Sequence, residues 1–412
     1  MPVLHRAAWV LPIAAPPIRD GWVLVDRGRI VATGSSDDAL PSGLTVEEAD
    51  SGVAGSRVIL PGLVNAHTHL ELSYLHGCIP RTTQFADWVR AVLSARRENS
   101  DPVAPAIVGA AARAIDVARA AGTALFGDVS NTLITVPLLR ERGVPAQVFY
   151  ELTGFTESAP EARVAEARVR ADAVAGGGIR VSLAPHAPYS VSAALFRAIR
   201  ADLDAHPEAV ASVHLGEPPD EIELLRHGTG AMRGVLEELG RWPVDWRPPG
   251  VGPVEYLGVL SMLDSRLLAV HGVQFDRDDL ARLRSRRVPI VTCPRSNVEV
   301  GIGSPPLQSF YDMKLDVAIG TDSLASAPDL NVFAELREAR RIAPRVPARR
   351  LLASATLVGA RVLGFGKELG SIEAGKRVAL LSVRIPNPVT DVEEYLLSGI
   401  EPGDVQWLGP AA

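Results

Sequence analysis

Two cysteines in a chain of 412 residues are too few for a disulfide framework, and this scarcity indicates a reducing compartment, with a cytoplasmic localisation expected. Long apolar runs are also lacking, since no window approaches the roughly 18 uninterrupted apolar residues of a membrane span. The formal net charge is −6 and no basic stripe is present, so neither nucleic acid nor a membrane surface is expected as a partner. A content of 47% hydrophobic and 22% charged residues is that of a globular protein and excludes a disordered or fibrous one.

What the sequence does contain is a series of eight short apolar runs, rich in valine, isoleucine, leucine and alanine. The runs end near Asn65, Asp128, Glu151, Pro185, His214, His271, Cys293 and Thr321. Alanine-rich amphipathic segments lie between most of them, for example residues 104–121 and 161–175. Runs that are apolar throughout are typical of strands covered on both faces, so the alternation predicts an α/β fold, a (β/α)8 TIM-type barrel. A doubly wound open sheet is the alternative, and the lack of a glycine-rich phosphate fingerprint after the first strand counts against it.

The two ends of the chain have strand character of a different kind. A turn at residues 26–28 between two apolar segments predicts a tight hairpin near the amino terminus. After Leu363 the sequence GSIEAGKRVALLSV again predicts a strand, so both ends can form one small sheet outside the barrel. Two connections, residues 71–103 and 218–265, are longer than a crossover needs and are interpreted as lids over a site or as surface loops.

Histidines and acidic residues follow the predicted strands at the ends from which a barrel builds its site. His67 and His69 lie two residues apart, so on a strand both imidazoles point to the same side. His214, His271 and Asp322 follow three other strands, and the carboxyl ends of all barrel strands meet at one mouth. Imidazoles together with a carboxylate favour zinc, with iron or manganese as alternatives.

Such a centre is suited to hydrolysis. A zinc ion lowers the pKa of a water ligand towards about 7, and a nearby carboxylate such as Asp322 can accept the proton. Glu217, three residues beyond His214, is a second carboxyl group that can give a proton to the substrate and take one back. The residues alone therefore predict metal-assisted hydrolysis.

The motifs LPGLVNAHTHLELS, PHAPYS, VHLGE, VHGV, TCPRSN and GTDSLAS, taken in this order, resemble the amidohydrolase superfamily, in particular its deaminase and chlorohydrolase branch. The resemblance implies a metal-dependent hydrolase barrel over residues 58–369 and a small β-sandwich domain composed of residues 1–57 and 370–412. It also implies a single divalent metal ion. The implied metal ligands are His67, His69, His214 and Asp322, and the implied catalytic residues are Glu217, His271 and Asp322.

The reaction implied by the resemblance is addition of hydroxide to an aromatic amidine carbon, followed by loss of ammonia. In it Asp322 accepts the proton of the attacking water, His271 orients the hydroxide, and Glu217 protonates the ring nitrogen beside the attacked carbon. The chain has three lysines and none ends a predicted strand, which argues against the two-metal members that use a carboxylated lysine. Glu151, at the end of the third run, is accordingly interpreted as a buried structural carboxylate and not as a ligand of a second metal.

Within this branch, HTHLELS followed by QFADWVRAVLSARR resembles most the aminodeoxyfutalosine deaminases of menaquinone biosynthesis. This implies 6-amino-6-deoxyfutalosine as substrate, an adenine nucleoside whose ribose bears a benzoate-containing chain. Glu71 is expected to bind the ribose hydroxyls, and Phe85 and Trp88 either receive the aromatic tail or pack in the core. The full set of expected substrate-binding residues is Glu71, Ser73, Trp88, His186, Arg295 and Ser323.

Several alternatives stay open at this point. Arg295 is expected to bind the benzoate carboxylate, with Arg81 and Arg90 as alternatives. The same catalytic residues would serve deamination of adenosine, S-adenosylhomocysteine or methylthioadenosine, whereas guanine, cytosine or triazine amino- or chlorohydrolysis would need no ribose contacts. A non-catalytic binding barrel is the remaining class, but such a protein is expected to have lost metal ligands, and all are present here. The oligomeric state is open, with a homodimer as one option.

Overall fold

The computed structural model describes residues 2–40, 47–48 and 57–408. The strands are β1 Val3–Val10, β2 Ile18–Asp26, β3 Arg29–Ser35, β4 Glu47–Glu48, β5 Arg57–Pro61, β6 Leu63–Thr68, β7 Thr123–Ser130, β8 Ala146–Leu152, β9 Ile179–Pro185, β10 Ala211–Leu215, β11 Leu267–His271, β12 Ile290–Thr292, β13 Val317–Ile319, β14 Leu380–Arg384 and β15 Val405–Leu408. The helices are α1 Phe85–Glu98, α2 Pro105–Ala120, α3 Thr135–Glu141, α4 Pro160–Val174, α5 Ala193–Ala205, α6 Pro219–His227, α7 Ala231–Glu238, α8 Pro253–Val259, α9 Arg277–Arg286, α10 Pro294–Glu299, α11 Leu307–Asp312, α12 Val332–Ile342, α13 Ala348–Ser354, α14 Leu357–Val362 and α15 Val392–Leu396, with short 3-10 helices at Leu70–Leu75 and Pro402–Asp404. No described helix combines the length and the apolar character that crossing a membrane requires.

Eight consecutive strands, β6 to β13, form two parallel four-stranded sheets in the orders β6-β7-β8-β9 and β10-β11-β12-β13. Most of their residues are buried, as expected for strands covered on both faces. Each of the eight predicted apolar runs contains one of these strands, and the helices predicted at residues 104–121 and 161–175 are α2 and α4. The predicted parallel α/β architecture is therefore confirmed.

The two parallel sheets are linked at their carboxyl ends by backbone hydrogen bonds. The N–H of His214, on β10, donates to the carbonyl of His186, just after β9, at 2.9 Å. The N–H groups of Thr321 and Asp322, after β13, both donate to the carbonyl of His67 on β6 at 3.0 Å. Within the described residues the strand pairings form two separate four-stranded sheets and not one closed eight-stranded sheet. The links nevertheless bring the ends of the two sheets together in one place.

The first predicted run, VILPGLVN, contributes one strand to each of two different sheets. Its first part, β5, pairs antiparallel with β14 and parallel with β1, whereas its second part, β6, pairs with β7. The change occurs at Gly62, where a Cβ atom would lie 2.5 Å from the Cβ of Ala124. Glycine at this position therefore permits the close approach with which the chain passes from one sheet to the next.

Strands from both ends of the chain form one seven-stranded sheet, in the order β15-β14-β5-β1-β2-β3 with β4 beside β1. The predicted hairpin consists of β2 and β3, with Asp26 opposite Arg29. Strands from the two ends thus lie in one hydrogen-bonded sheet, and this pairing does not confirm the predicted β-sandwich. Residues 41–46, 49–56 and 409–412 of the predicted terminal domain lie outside the described residues.

The two long connections contain helices that line the space above the carboxyl ends of the parallel strands. The first connection contains α1, and the second contains α6, α7 and α8. Apolar side chains of both connections pack in one cluster, with Phe85 from α1 and Met232 and Leu236 from α7. Residues of α1 and α7 line the same cavity as the strand-end histidines, so the connections cover the site as a lid does.

Candidate metal and active site

Four side chains at the ends of β6, β10 and β13 converge in one cluster. The Nε2 atoms of His69 and His214 lie 3.2 Å apart. Oδ1 of Asp322 lies 3.7 Å from Nε2 of His67 and 3.6 Å from Nε2 of His69. His271 joins the cluster, since its ligand atom lies within 4.8 Å of those of His67 and His214. The structure therefore brings together all four predicted metal ligands.

The close approach of the chain after β13 to β6 depends on Gly320. A Cβ atom at Gly320 would lie 2.7 Å from the carbonyl oxygen of His67. Asp322, two residues further on, has a φ of 61°. This left-handed conformation costs a residue with a side chain about 1–3 kcal/mol. The hydrogen bonds from Thr321 and Asp322 to the carbonyl of His67 hold the strained backbone in place.

The donor atoms of this cluster fit a divalent cation such as zinc. Both ring nitrogens of His67 are buried and have no hydrogen-bond partner among the described residues, which is costly unless a ligand satisfies them. Burial and neighbouring histidines lower the pKa of His67 and His214 well below the usual value, so both imidazoles are neutral. Burial alone would raise the pKa of Asp322, but the nearby histidines, His69 foremost, lower it to about 2. Neutral imidazoles and an ionised carboxylate are ligands that zinc takes in proteins.

Hydrogen bonds on the far side of the cluster orient its side chains. Nδ1 of His214 lies 2.9 Å from the carbonyl oxygen of His186, which places the proton on Nδ1 and leaves Nε2 free for a metal. The hydroxyls of Ser296 and Ser326 donate to Oδ2 of Asp322 at 2.7 and 3.1 Å. Oδ1 of Asp322 is thereby left facing the histidines. Partners of this kind are typical of metal sites, where they fix the orientation of each ligand.

Glu217 and His271 lie beside the cluster, with Oε1 of Glu217 3.5 Å from Nε2 of His271. Burial, followed by the charges of Asp322 and Glu221, raises the pKa of Glu217 well above its usual value and so favours the protonated form of this carboxyl group. Nδ1 of His271 lies 2.9 Å from Oδ1 of Asn297, which places the ring proton on Nδ1. A protonated acid beside an imidazole with a free Nε2 can donate and accept protons at this point.

A cavity opens onto the cluster. Small-molecule sites are mostly apolar, with a few convergent polar groups. His69, His214, Glu217 and Asp322 supply such polar groups. The apolar wall comes largely from α1 and from α7 with the residue after it, through Trp88, Val92, Leu93, Val235, Leu236 and Leu239.

Three of the six predicted substrate-binding residues line this cavity, namely Trp88, His186 and Ser323. Phe85, predicted for an aromatic tail or for the core, lines it as well and also belongs to the apolar cluster between α1 and α7. Nδ1 of His186 lies 2.6 Å from Oγ of Ser190, and burial lowers the pKa of His186 to about 4. The ring is therefore neutral.

Glu71 and Ser73 do not line the cavity that opens onto the cluster. The buried carboxylate of Glu71 accepts hydrogen bonds from Oγ of Ser130 at 2.7 Å, from the N–H of Asn131 at 2.9 Å and from Oγ1 of Thr132 at 2.6 Å. It holds the loop after β7, so the structure does not support the expected ribose contact. Ser73 is buried beside Glu71 in the same 3-10 helix.

The arginines predicted to bind a substrate carboxylate are already paired with carboxylates of the protein. Both Nη atoms of Arg295 donate to Asp329, at 2.7 and 2.8 Å, and Arg295 does not line the cavity. The two alternatives form the pairs Arg81–Glu299 and Arg90–Glu238. The structure therefore does not support these three arginines as substrate ligands.

Three charged residues line the cavity without having been predicted there, namely Arg96 on α1, Arg241 after α7, and Glu151 at the end of β8. Oε2 of Glu151 accepts a hydrogen bond from Nδ2 of Asn131 at 2.9 Å, and Oε1 lies 3.6 Å from Nδ1 of His214. Its place at the end of a strand is the signal that could have indicated that Glu151 lines the cavity. The arginines lie in the long connections, where no motif marks the residues that face the cavity.

Residues 58–396 match the amidohydrolase family. The chain belongs to this family. The match confirms the resemblance read from the motifs and the expectation of a hydrolase that acts on C–N bonds. The family uses a divalent metal, in agreement with the cluster of histidines and Asp322.

Relatives of this amidohydrolase include several deaminases. The 5-methylthioadenosine/S-adenosylhomocysteine deaminase of Moorella thermoacetica is 29% identical over 418 residues, which cover 98% of this chain and 91% of that one. The aminodeoxyfutalosine deaminase of Deinococcus radiodurans is 32% identical over 360 residues, which cover 84% of this chain and 81% of that one.

Solved structures of similar fold include two proteins with related names. The structure of an adenosine deaminase from Xanthomonas campestris with bound zinc has 26% identity and a TM-score of 0.80, and the match covers 98% of this chain and 90% of that one. Helicobacter pylori aminofutalosine deaminase in complex with methylthio-coformycin has 24% identity and a TM-score of 0.82, with 98% and 99% covered. The second likeness shows that the fold is shared.

Proposed function

We propose that this amidohydrolase is a metal-dependent hydrolytic deaminase of an adenine nucleoside, and that its substrate is 6-amino-6-deoxyfutalosine of menaquinone biosynthesis. The observation that carries the proposal is a single cavity lined by the histidine–aspartate cluster, by Glu217 and by an apolar wall. The name of the Deinococcus radiodurans relative supports the choice of substrate.

In this proposal His67, His69, His214 and Asp322 hold one divalent ion, with zinc as the first candidate and iron or manganese as alternatives. When bound, such an ion lowers the pKa of water and so makes a nucleophile available near neutral pH. The neutral imidazoles of His67 and His214 and the ionised Asp322 are already in the protonation states that binding requires.

The protein's own groups move the protons of the reaction. Glu217 gives its proton to the ring nitrogen beside the amino-bearing carbon of adenine, which makes that carbon more electrophilic. Asp322 accepts a proton from the attacking water, and His271 orients the water through its free Nε2. Glu217 then takes the proton of the added hydroxyl group, and Asp322 passes its proton to the amino group, so that the C–N bond breaks, ammonia leaves and the oxygen stays on the ring.

In this proposal the ribose is bound by Glu151 and not, as first expected, by Glu71. It lines the cavity, and its Oε1 is not engaged by the hydrogen bond from Asn131 to Oε2. A hydrogen bond from a ribose hydroxyl to this oxygen contributes about 0.5–1.5 kcal/mol. The aryl part of the tail then lies against the apolar wall formed by α1 and α7.

We also propose how the sheets that carry the site are arranged. The two parallel sheets, linked at the ends of β6, β9, β10 and β13, are the two halves of a (β/α)8 barrel over residues 58–369. Residues 1–57 and 370–412 form a terminal domain around the seven-stranded sheet, and the enzyme works in the cytoplasm.

A second candidate function is deamination of methylthioadenosine or S-adenosylhomocysteine. It is favoured by the relative from Moorella thermoacetica, whose match covers 98% of this chain. The reacting groups would be the same, and only the contacts to the tail would differ.

The test is ammonia release by purified, zinc-supplemented protein with aminodeoxyfutalosine, adenosine, methylthioadenosine, S-adenosylhomocysteine and guanine side by side. We expect a kcat/KM for aminodeoxyfutalosine about 100-fold or more above that for adenosine, because only the first substrate fills the apolar part of the cavity. Comparable values for methylthioadenosine would support the second candidate, and a preference for guanine would contradict both.

A further inference from the structure

Two arginines line the cavity, and they differ in what they bind within the protein. Nη2 of Arg96 donates to Oδ1 of Asn131 at 3.0 Å and lies 3.8 Å from Oε1 of Glu71. Arg241 is exposed, and among the described residues no carboxylate, carbonyl or aromatic ring binds its guanidinium. Of the two, Arg241 is therefore the arginine whose N–H donors are all available to a ligand.

The backbone of Arg241 is held by the end of α7. Gly240 has a φ of 66° and donates its N–H to the carbonyl of Glu237 at 2.9 Å, while the N–H of Arg241 donates to the carbonyl of Leu236 at 2.8 Å. This pair of bonds is a Schellman motif, in which the residue at the position of Arg241 often makes an apolar contact with the helix. Here that position carries a charge, and both Leu236 and Arg241 line the cavity. The backbone bonds thus keep the arginine beside the apolar wall.

The acidic and basic residues that line the cavity differ in their exposure to solvent. The acidic residues Glu151, Glu217 and Asp322 are buried, whereas Arg241 is exposed. Apolar side chains of α1 and α7 make up most of the remaining wall. A complementary ligand carries a polar heterocycle at the buried end, an apolar segment in the middle and a negative group at the exposed end.

We propose that Arg241 is a specificity residue that binds a carboxylate at the far end of an apolar substituent on the sugar of the nucleoside. This inference rests on the proposed function and assigns one residue to the recognition of the acidic tail. A guanidinium binds a carboxylate through two parallel N–H···O bonds. Because Arg241 is exposed, solvent weakens this pair, and we expect it to change kcat/KM by about 10- to 30-fold.

The test compares kcat/KM for aminodeoxyfutalosine with kcat/KM for its carboxylate methyl ester, in the wild type, Arg241→Gln, Arg241→Lys, Arg96→Gln and Arg247→Gln. Arg247 is an exposed arginine of the same segment outside the cavity lining, so its variant is matched in charge change. The wild type and Arg247→Gln are expected to prefer the acid by about 10- to 30-fold. In Arg241→Gln this preference falls to near unity, and Arg241→Lys is intermediate because lysine keeps the charge but not the planar fork.

The outcomes separate this inference from the function on which it rests. An acid preference that is unchanged in Arg241→Gln overturns the role of Arg241, as does its loss in Arg96→Gln alone. Equal rates for acid and ester in the wild type overturn the role of Arg241 but leave the deaminase. No turnover of either compound by the wild type overturns the proposed function and the role of Arg241 together. Circular dichroism and thermal unfolding check that every variant is folded.

Discussion

The chemistry of the site depends on which atom of each side chain is left without a hydrogen bond. In two histidines one ring nitrogen is engaged and the other is free. His214 and His271 each hold Nδ1 against an oxygen, that of the His186 carbonyl and that of the Asn297 side chain, and so present Nε2 to the cluster. The histidines could be predicted because they follow apolar strands whose ends share one mouth. Asn297 could not, because it lies on the short helix α10 and its contact depends on how that helix is rotated.

The first prediction at this scale concerns the protonated Glu217. Glu217→Gln keeps the volume but removes the proton donor, so kcat for the nucleoside should fall by about 10²- to 10⁴-fold. Bound metal, measured by elemental analysis, should stay unchanged because Glu217 is not among the predicted ligands. Glu223→Gln, an exposed acid on α6, is the matched control. A variant at Glu217 that keeps more than a tenth of the kcat would rule out its role as proton donor.

Strands and helices could be predicted from the sequence where burial leaves a regular pattern of apolar residues. The eight strands were accessible from sequence because burial on both faces leaves an uninterrupted apolar run. On α1 the lining residues Trp88, Val92, Leu93 and Arg96 recur at helical spacing, so one face points to the cavity. Arg90 lies six residues before Arg96, about 240° around the helix, and therefore pairs with Glu238 at the surface. Helical spacing from Trp88 could have indicated Arg96, but only once α1 is known to border the cavity.

The prediction at the element scale concerns the loop after β7. Glu71→Gln turns one acceptor oxygen into a donor that faces the N–H and hydroxyl groups of that loop. The free energy of unfolding should fall by about 1.5–3 kcal/mol, measured by urea denaturation. Glu98→Gln, an exposed acid on α1, should change it little. Unchanged stability of Glu71→Gln together with a raised KM for nucleosides would instead restore the ribose role first expected for Glu71.

Over the whole molecule, buried acids outside the metal cluster set how stability depends on pH. Burial raises the pKa of Asp128 to about 7 and that of Glu221 and Glu335 to about 8. An acid whose pKa is raised on folding favours the folded state fully below its unfolded pKa and loses this contribution as pH rises to the folded pKa. These groups therefore lower stability progressively between about pH 4 and about pH 8. The sequence does not mark them, because their burial results from packing between distant segments.

The pH dependence of stability can be tested at Glu335. Its Oε2 accepts a hydrogen bond from the backbone N–H of Arg295 at 3.0 Å. Glu335→Gln keeps an acceptor oxygen but cannot ionise. The loss of unfolding free energy between about pH 5 and about pH 8 should be smaller in the variant, by about 1.4 kcal/mol for each unit of pKa elevation. Urea denaturation across this range measures it, with the exposed Glu161→Gln as control. Parallel profiles for the variant and the wild type would mean that Glu335 does not titrate in this window.

A zinc titration of metal-depleted protein, followed by ammonia release from aminodeoxyfutalosine and from adenosine, tests directly whether one bound metal ion supports the deamination of an adenine nucleoside. We expect no activity without metal and a linear rise that ends at one zinc per chain. His67→Ala should abolish both the bound zinc and the activity, while His206→Ala, remote from the cluster, should change neither. Full activity in the metal-free protein, or failure of the zinc-loaded protein to deaminate either nucleoside, would show that the protein is not the metal-dependent deaminase proposed here.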